Sequence, residues 1–319
     1  MMNLVFGADG GGTKTAGVLA TQAGEVLARS QAGASNPNVV GVDQSAAVAW
    51  ELLVACCAQA GCALSEVASA TLGLAGAGSP AIRDRVQDAF RKKFHAENIA
   101  APRLSVESDA RIALEGDFSG GPGAIVIAGT GSVVLGKSPR GEIFRIGGWG
   151  RVLGDEGSGY WIGLEAARAV ARHYDGLESP GGLVRKLIER LSWESRETVI
   201  VAVYQQEFAL ASIAPLVLEA CEGGDPLARS ILSRASDLLV GQLTAAAGRI
   251  ASEGEVGVVF LGGLIDHETA YARMLAERLA TAGTRLRLQK AELPPADGAI
   301  LMARALAGAT LAPTTPKHT

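Results

Sequence analysis

The stretch that decides the fold reads LVFGADGGGTKTAGVLA and spans residues 4–20. An apolar run ends at Asp9, passes through three glycines and reaches Thr13, Lys14 and Thr15 before a second apolar run begins. This pattern predicts two strands joined by a tight glycine turn, with backbone N–H groups and a threonine hydroxyl facing one small volume. Such a turn suits phosphate oxygens, and the neighbouring aspartate is placed to hold a hydrated metal ion.

Two better-known phosphate motifs do not fit this stretch. A P-loop needs a Gly-Lys-Ser/Thr group that follows a four-residue spacer and opens a helix, and this sequence has none here. A dinucleotide fingerprint would also open a helix, whereas residues 13–20 alternate like a strand. A site of the strand–turn–strand kind remains.

The composition limits the class of protein. With 319 residues, 48% of them hydrophobic and 19% charged, the chain is typical of a globular enzyme of one or two domains. The formal net charge of −4 argues against a basic surface for nucleic acid or for an anionic membrane. No apolar run reaches transmembrane length without interruption by glycine or charge.

The cysteines give no metal-site pattern. Cys56, Cys57 and Cys62 lie in one predicted helix, Cys221 stands apart, and none has metal-ligand spacing to a histidine. Buried free thiols are the simpler interpretation, and together with an opening that lacks a signal-peptide pattern they favour a cytoplasmic location.

The strand–turn–strand pattern returns in residues 124–136, which read AIVIAGTGSVVLG. This weak repeat predicts two related halves, each with a glycine hairpin for phosphate. We therefore expect an α/β protein with an N-terminal domain over 1–117 and a C-terminal domain over 118–319. The last helix, at about 297–308, is expected to pack back on the N-terminal domain. A third buried strand, Val256–Leu261, ends in Gly262 and Gly263.

Asp109 is the candidate general base. It follows the strand Leu104–Asp109 and stands at a predicted helix start, so it would also serve as an N-cap. In phosphoryl transfer a carboxylate orients the attacking hydroxyl and takes its proton. Beside two phosphate turns, the catalytic role is the one we favour.

Residues 147–169, GGWGRVLGDEGSGYWIGLEAARA, are the second distinctive feature. Glycines surround Trp149, and Asp155 and Glu156 precede a helix that begins near Ser158. Core packing would explain the tryptophan, and the helix dipole would explain the acids. A sugar site needs the same combination of carboxylates and apolar surface. Asn36, in a loop after the first strands, fits either a turn or a sugar hydroxyl.

Together these motifs resemble the N-acetylglucosamine kinase branch of the sugar kinase, actin and heat-shock-protein ATPase superfamily. The resemblance runs over about residues 3–308 and includes GADGGGTKT, SNPN, ESDA, IAGTGS, GGWGRVLGDEGSGYWIG and FLGG. The same branch is grouped with the ATPase activators of benzoyl-CoA reductase and 2-hydroxyacyl-CoA dehydratase. It implies two ribonuclease-H-like domains with a central cleft, a small-molecule amino sugar as substrate, ATP and Mg²⁺ as cofactors, and a homodimer.

The resemblance also implies site residues by position. Those for ATP are Asp9 through the hydrated Mg²⁺, Gly11, Gly12, Thr13, Lys14, Gly129, Thr130, Gly131, Ala211, Gly262 and Gly263. Those for the sugar are Asn36, Asp109, Ser132, Val133, Gly148, Trp149, Gly150, Arg151, Val152 and Asp155. Asp109 would be the general base for the 6-hydroxyl of the sugar.

Two departures from the family pattern keep the substrate open. Animal members carry an aromatic residue shortly after the equivalent of Asn36, where this chain reads Asn-Pro-Asn, and Ala75 stands where a hydroxyl would help to hold an acetamide. Glucosamine and a muramic-acid-type sugar are therefore alternatives to N-acetylglucosamine. An ATPase activator with an iron–sulfur cluster and a non-catalytic sugar sensor are the rival classes, and the cysteine positions and acidic charge disfavour them.

Overall fold

The structure is a computed structural model that describes residues 3–250, 254–265, 267–283, 285–291 and 293–308. The chain divides into two compact units. The first comprises Met1–Gly121 and Ala291–Thr319, and the second comprises Pro122–Lys290. The sequence analysis places the domain boundary after residue 117, whereas the first stretch of the first unit ends at Gly121.

The first unit alternates strands and helices after an N-terminal meander. Its strands are β1 (Leu4–Gly10), β2 (Thr15–Thr21), β3 (Val26–Ala32), β4 (Val67–Leu74) and β5 (Arg103–Ser108). Its helices are α1 (Pro37–Val40), α2 (Val42–Ala60), α3 (Pro80–Ala96), α4 (Asp109–Asp117) and α11 (Pro295–Gly308), with a 3-10 turn at Leu64–Glu66.

The sheet of the first unit has the order β3-β2-β1-β4-β5. β1 to β3 pair antiparallel, whereas β1, β4 and β5 run parallel, so the carboxyl ends of these three strands share one edge. One face packs on α2 and α3 through residues such as Phe6, Leu52 and Phe90. The other face packs on α11, where Val5 and Val18 meet Ile300. Helix α11 therefore belongs to the first unit, although it follows the second unit in the sequence.

The second unit carries more helix. Its strands are β6 (Gly123–Ala128), β7 (Ser132–Lys137), β8 (Ile143–Gly147), β9 (Val256–Leu261) and β10 (Leu286–Leu288). Its helices are α5 (Gly159–Tyr174), α6 (Gly182–Leu191), α7 (Arg196–Ile200), α8 (Ala214–Glu222), α9 (Pro226–Ile250) and α10 (Ala270–Thr281). A π-helical turn spans Val201–Gln205 and a 3-10 turn spans Leu210–Ile213.

The second sheet repeats the plan of the first. Its order is β10-β9-β6-β7-β8, in which β6 to β8 pair antiparallel and β6, β9 and β10 run parallel. The weak sequence repeat thus corresponds to a repeated topology. Strand β8 was not predicted, because it is short and leads directly into the glycine-rich segment that dominates the pattern there.

Within the described residues, no helix combines the length and the apolar composition that crossing a bilayer requires.

Candidate active site

The first glycine turn lies between β1 and β2. The backbone N–H of Gly11 donates to the carbonyl of Lys14 over 2.9 Å, and this hydrogen bond closes the turn. Gly12, Thr13 and Lys14 are exposed, so the turn and its lysine are accessible to a ligand from solvent. This arrangement has the donors and the positive charge that a phosphate needs.

The Asn36 loop is fastened to this turn. The backbone N–H groups of Ser35 and Asn36 both donate to the carbonyl of Gly11, over 3.0 and 3.1 Å. The buried Thr15 hydroxyl donates to the carbonyl of Gly33 over 2.7 Å and accepts from the Ser35 hydroxyl over 2.8 Å. Asn36 Oδ1 accepts the N–H of Asn38 over 2.9 Å and so caps α1, which fixes the orientation of its amide. The candidate sugar residue Asn36 therefore stands beside the candidate phosphate turn.

Two carboxylates lie at the carboxyl ends of the parallel strands. Asp9 is partly buried near the end of β1, and Asp109 is exposed just after β5. Burial, and then repulsion by Asp109, raise the pKa of Asp9, while Lys14 lowers it. The two groups are therefore close enough to interact electrostatically, as two acids serving one phosphate and one hydroxyl need to be.

The expectation that Asp109 is an N-cap is wrong. Ser108 is the N-cap of α4, because its Oγ accepts the N–H of Arg111 over 3.2 Å. Asp109 is the first residue of the helix, and its Oδ1 accepts the N–H of Ala110 over 2.8 Å. Because Ser108 provides the N-cap, Asp109 is not needed for that role, although its exposed carboxylate accepts the Ala110 N–H and suits the positive end of the helix dipole.

The donor set suits a magnesium ion that keeps most of its own water. Among the residues that the structure describes, no three His, Cys, Asp or Glu side chains cluster as metal ligands. Mg²⁺ is commonly held by one or two carboxylates together with waters and substrate phosphates. Burial and the nearby Asp109 make the charged form of Asp9 costly. A cation beside Asp9 would stabilise that charged form.

The second glycine turn lies between β6 and β7, and the first turn of α5 supports it. Gly129 N donates to the carbonyl of Gly131 over 2.9 Å. The N–H groups of Gly159 and Tyr160 donate to the carbonyls of Gly129 and Thr130, over 2.8 and 3.1 Å. The first residues of α5 thus hold the turn in place by hydrogen bonds. Thr130, within the turn, is exposed.

Of two further predicted nucleotide segments in the second unit, one lies against this hairpin and the other against the start of α5, which supports it. Gly262 has a φ of +96°, and a Cβ there would come within 2.6 Å of the carbonyl of Ala128, so the position requires glycine. Gly263, which follows it, is exposed. Ala211 belongs to the 3-10 turn that crosses α5, with its carbonyl 3.6 Å from where a Cβ of Gly159 would stand.

The predicted sugar segment forms an exposed loop after β8, which we call the 148–154 loop. Gly148 and Gly150 have φ values of +66° and +80°. Trp149 and Val152 are 69% and 87% exposed, so core packing does not explain this tryptophan. Arg151 stands 6.0 Å from the ring centre of Tyr160.

Asp155 ends this segment beside the phosphate hairpin. Its φ of +56° is left-handed, a conformation that residues with a Cβ rarely adopt and that is enriched at functional sites. Its Oδ1 lies 3.5 Å from Ser132 N, at the hydrogen-bond limit. A Cβ on Gly131 would stand 2.9 Å from Oδ2. Val133 is in contact with Gly148, so the hairpin and the loop share a boundary.

Several residues of this neighbourhood were not predicted. In the first unit these are Ser35 and Gly76, which packs against Asn36. In the second unit, Tyr271 donates to the carbonyl of Gly157 over 2.6 Å, and Gln242 donates to Glu156 over 3.2 Å. The two helix residues come from regions with no motif, and only the fold brings them here.

The cysteines are not arranged for a cluster. Cys56 and Cys57 are buried in the core of the first unit, and burial raises the pKa of their thiols to about 11 and about 12. Thiolate ligands need the opposite shift. Cys221 is in the second unit and is partly exposed.

The two units have mixed five-stranded sheets of the same strand order. In each sheet a glycine hairpin lies at the carboxyl end of the central parallel strand. This architecture defines a protein with two ribonuclease-H-like domains of the actin and hexokinase type. The chain belongs to the BadF/BadG/BcrA/BcrD ATPase family, whose model matches residues 6–303.

Named relatives are enzymes that act on amino sugars. The chain is 33% identical over 238 residues to the N-acetylmuramic acid/N-acetylglucosamine kinase of Clostridium acetobutylicum, covering 74% of this chain and 76% of that one. It is 28% identical over 316 residues to the N-acetyl-D-glucosamine kinase of Dictyostelium discoideum, covering 94% and 97%. A crystal structure of a candidate N-acetylglucosamine kinase from Chromobacterium violaceum aligns with a TM-score of 0.64 at 29% identity, covering 96% of this chain and 99% of that one.

Proposed function

We propose that this protein is an ATP-dependent amino-sugar kinase that transfers the γ-phosphate of Mg-ATP to the 6-hydroxyl of N-acetylglucosamine. One observation carries the proposal. The first unit holds a glycine turn, an asparagine loop bonded to that turn, and an exposed carboxylate that interacts with the carboxylate beside the turn. A sugar kinase needs these parts: a phosphate cradle, a hydroxyl contact and a base.

In this proposal, the first unit supplies the reacting groups. Asp109 accepts the proton of the 6-hydroxyl as its oxygen attacks phosphorus, and the bond from the γ-phosphorus to the bridging oxygen of ADP breaks. Gly11 to Lys14 bind phosphate oxygens, and Asn36 contacts a sugar hydroxyl. Asp9 holds the hydration shell of Mg²⁺, which when bound offsets phosphate charge.

The second unit contributes the remaining contacts. Gly129, Thr130 and Gly131 form the second phosphate turn, while Ala211, Gly262 and Gly263 border the adenosine. Ser132, Val133, Asp155 and the 148–154 loop contact the sugar. In support, these residues are neighbours within the unit and Asp155 has a left-handed backbone.

A second substrate has a specific observation in its favour. The relative that is 33% identical is named for N-acetylmuramic acid as well as N-acetylglucosamine. Glucosamine is a further alternative, because Ala75 offers no hydroxyl for an acetamide. The homodimer and the cytoplasmic location stay predictions from the sequence.

A substrate panel tests the proposal. ADP release from Mg-ATP is measured with N-acetylglucosamine, glucosamine, N-acetylmuramate, N-acetylmannosamine and glucose. We expect the highest kcat/KM with N-acetylglucosamine and at least tenfold less with glucose. Turnover with glucosamine and none with N-acetylglucosamine would replace the proposed substrate by glucosamine, and equal turnover with both would show that the acetyl group is not recognised. Nucleotide binding without turnover on any sugar would contradict a kinase and favour an activator or a sensor.

A further inference from the structure

Gln242 connects helix α9 to the end of the predicted sugar segment. Its Nε2 donates to Glu156 Oε2 over 3.2 Å, and the two residues are 86 positions apart in sequence. Glu156 directly follows Asp155, the carboxylate with the left-handed backbone. An α9 side chain therefore holds the C-terminal base of the 148–154 loop.

The same amide also touches the N-terminal base of that loop. A Cβ on Gly147 would stand 2.7 Å from Gln242 Oε1, and Gly147 has a φ of +73°. Gln242 Oε1 is buried and has no hydrogen-bond partner among the described residues. A buried acceptor without a partner is costly, so an unsatisfied amide oxygen at this position needs an explanation.

Ser132 connects this base to the second phosphate turn. Its Oγ donates to the carbonyl of Glu156 over 2.7 Å, and it is the first residue of β7 after Gly131. A hydrogen bond therefore joins Glu156 to the strand that follows the second phosphate turn. Contacts within the second unit thus connect Ser132 to Glu156, Glu156 to Gln242 and Gln242 to Gly147.

We propose that Gln242 is a positioning residue that couples nucleotide binding to the sugar loop. It pins both ends of the 148–154 loop, and the carboxamide oxygen that is unpaired here accepts a backbone N–H of the loop base when nucleotide occupies the hairpin. The identity of the two ligands rests on the proposed function. The coupling itself is a property of the second unit and can be tested without turnover.

The test uses the full chain with Gln242→Met, which keeps the side-chain length and removes both amide functions. Thr244→Val is the matched control, since this exposed residue of the same helix bonds only within α9 among the contacts described. Hydrogen exchange of residues 147–156 is followed with and without a non-hydrolysable ATP analogue. We expect the analogue to slow exchange at the loop base about tenfold in the wild-type protein and in Thr244→Val, and to have no effect there in Gln242→Met.

Steady-state kinetics gives a second readout that a general loss of stability would not produce. We expect Gln242→Met to raise the KM for the amino sugar at saturating ATP about tenfold and, because coupling between two ligands is reciprocal, the KM for ATP at saturating sugar by a similar factor, with kcat within about twofold of wild type. Equal protection in wild type and Gln242→Met, or absence of protection in wild type, would overturn the proposal. A wild-type protein that phosphorylates no amino sugar but shows protection lost in Gln242→Met would overturn the proposed function and leave the coupling standing.

Discussion

The two carboxylates of the first unit have different surroundings, although their charges interact. Asp9 is partly buried on β1, where burial raises its pKa, whereas Asp109 is exposed at the first residue of α4. Different environments let two like groups take different roles, one as a charge for a hydrated cation and the other as a proton acceptor. Each role makes its own prediction.

Replacing Asp109 separates catalysis from helix capping. We expect Asp109→Asn to keep sugar binding and to lose about 10²- to 10⁴-fold in kcat, because the amide cannot accept the proton. Ser108→Ala is the matched control: it removes the N-cap, costs about 1 kcal/mol of stability and leaves the carboxylate in place. Near-normal kcat in Asp109→Asn would exclude it as the base, as would an equal loss in Ser108→Ala.

Replacing Asp9 should stabilise the nucleotide-free fold and weaken the binding of Mg-ATP. Its pKa is raised in the folded protein, so the folded state takes up this proton more readily than the unfolded chain, and ionisation costs stability at higher pH. Asp9→Asn should therefore raise the Tm of the nucleotide-free protein near about pH 7, and the gain should vanish towards about pH 3, below the ordinary carboxyl pKa of 3.8, where both states hold the proton. Stabilisation by Mg-ATP should be lost.

Thermal unfolding across this pH range checks the prediction, with Asp84→Asn, an exposed carboxylate on α3, as control. A Tm gain of the same size at every pH would show that packing, rather than ionisation, is responsible.

At the scale of elements, helix α5 connects the second phosphate turn to the turn that carries Ala211. Its first residues donate to the carbonyls of Gly129 and Thr130. One turn later, Gly163 lets the carbonyl of Leu210 approach the helix so closely that a Cβ would collide with it. The position of Ala211 thus depends on Gly163, which is not itself one of the predicted binding residues.

Gly163→Ala should disturb this crossing. We expect a loss of about 1–3 kcal/mol in the free energy of unfolding, because backbone must move to admit the methyl group, and a raised KM for ATP. Gly241→Ala on α9 is the control: nothing lies within 4 Å of its added Cβ. Alanine should stabilise that helix by up to about 1 kcal/mol. Denaturant titration and ATP kinetics of both variants test these expectations. An unchanged KM for ATP in Gly163→Ala would contradict the link to Ala211.

The sequence predicts these elements unevenly, for physical reasons. The strands that end at glycine turns stand out, because apolar runs meet residues with special backbone freedom. Between residues 196 and 250 the chain forms α7, a π-helical turn, a 3-10 turn, α8 and α9 in succession. Those breaks depend on tertiary packing, such as that of Leu210 on Gly163, which no local pattern records.

At the scale of the molecule, the repeat of two weakly similar hairpins was enough to predict two related α/β halves, and each half has the same strand order. The candidate residues near these hairpins follow from motifs within a few positions of a turn. Gln242 and Tyr271 do not, because they reach the site from helices far along the chain. Sequence patterns reveal what is local, and distant support becomes visible only when the chain is folded.

The last helix makes the first unit depend on both ends of the chain. Gly298 of α11 lies against α4, where a Cβ would collide with the carbonyl of Ile112 and come within 2.8 Å of Gly116 N. Gly298→Ala should therefore loosen α11 and α4, uncover Val5 on β1, and lower the free energy of unfolding by about 1–3 kcal/mol.

Hydrogen exchange shows where that loss falls. We expect faster exchange in β1, β4 and α4, with the β6 and β7 amides unchanged, because Gly298 packs within the first unit alone. Gly248→Ala, an open helical position of the second unit, controls for the added methyl group and should leave both sets of amides protected. Equal acceleration in both sheets would instead mean that the two units unfold cooperatively. A weakened α11 would then destabilise the second glycine turn as strongly as the first.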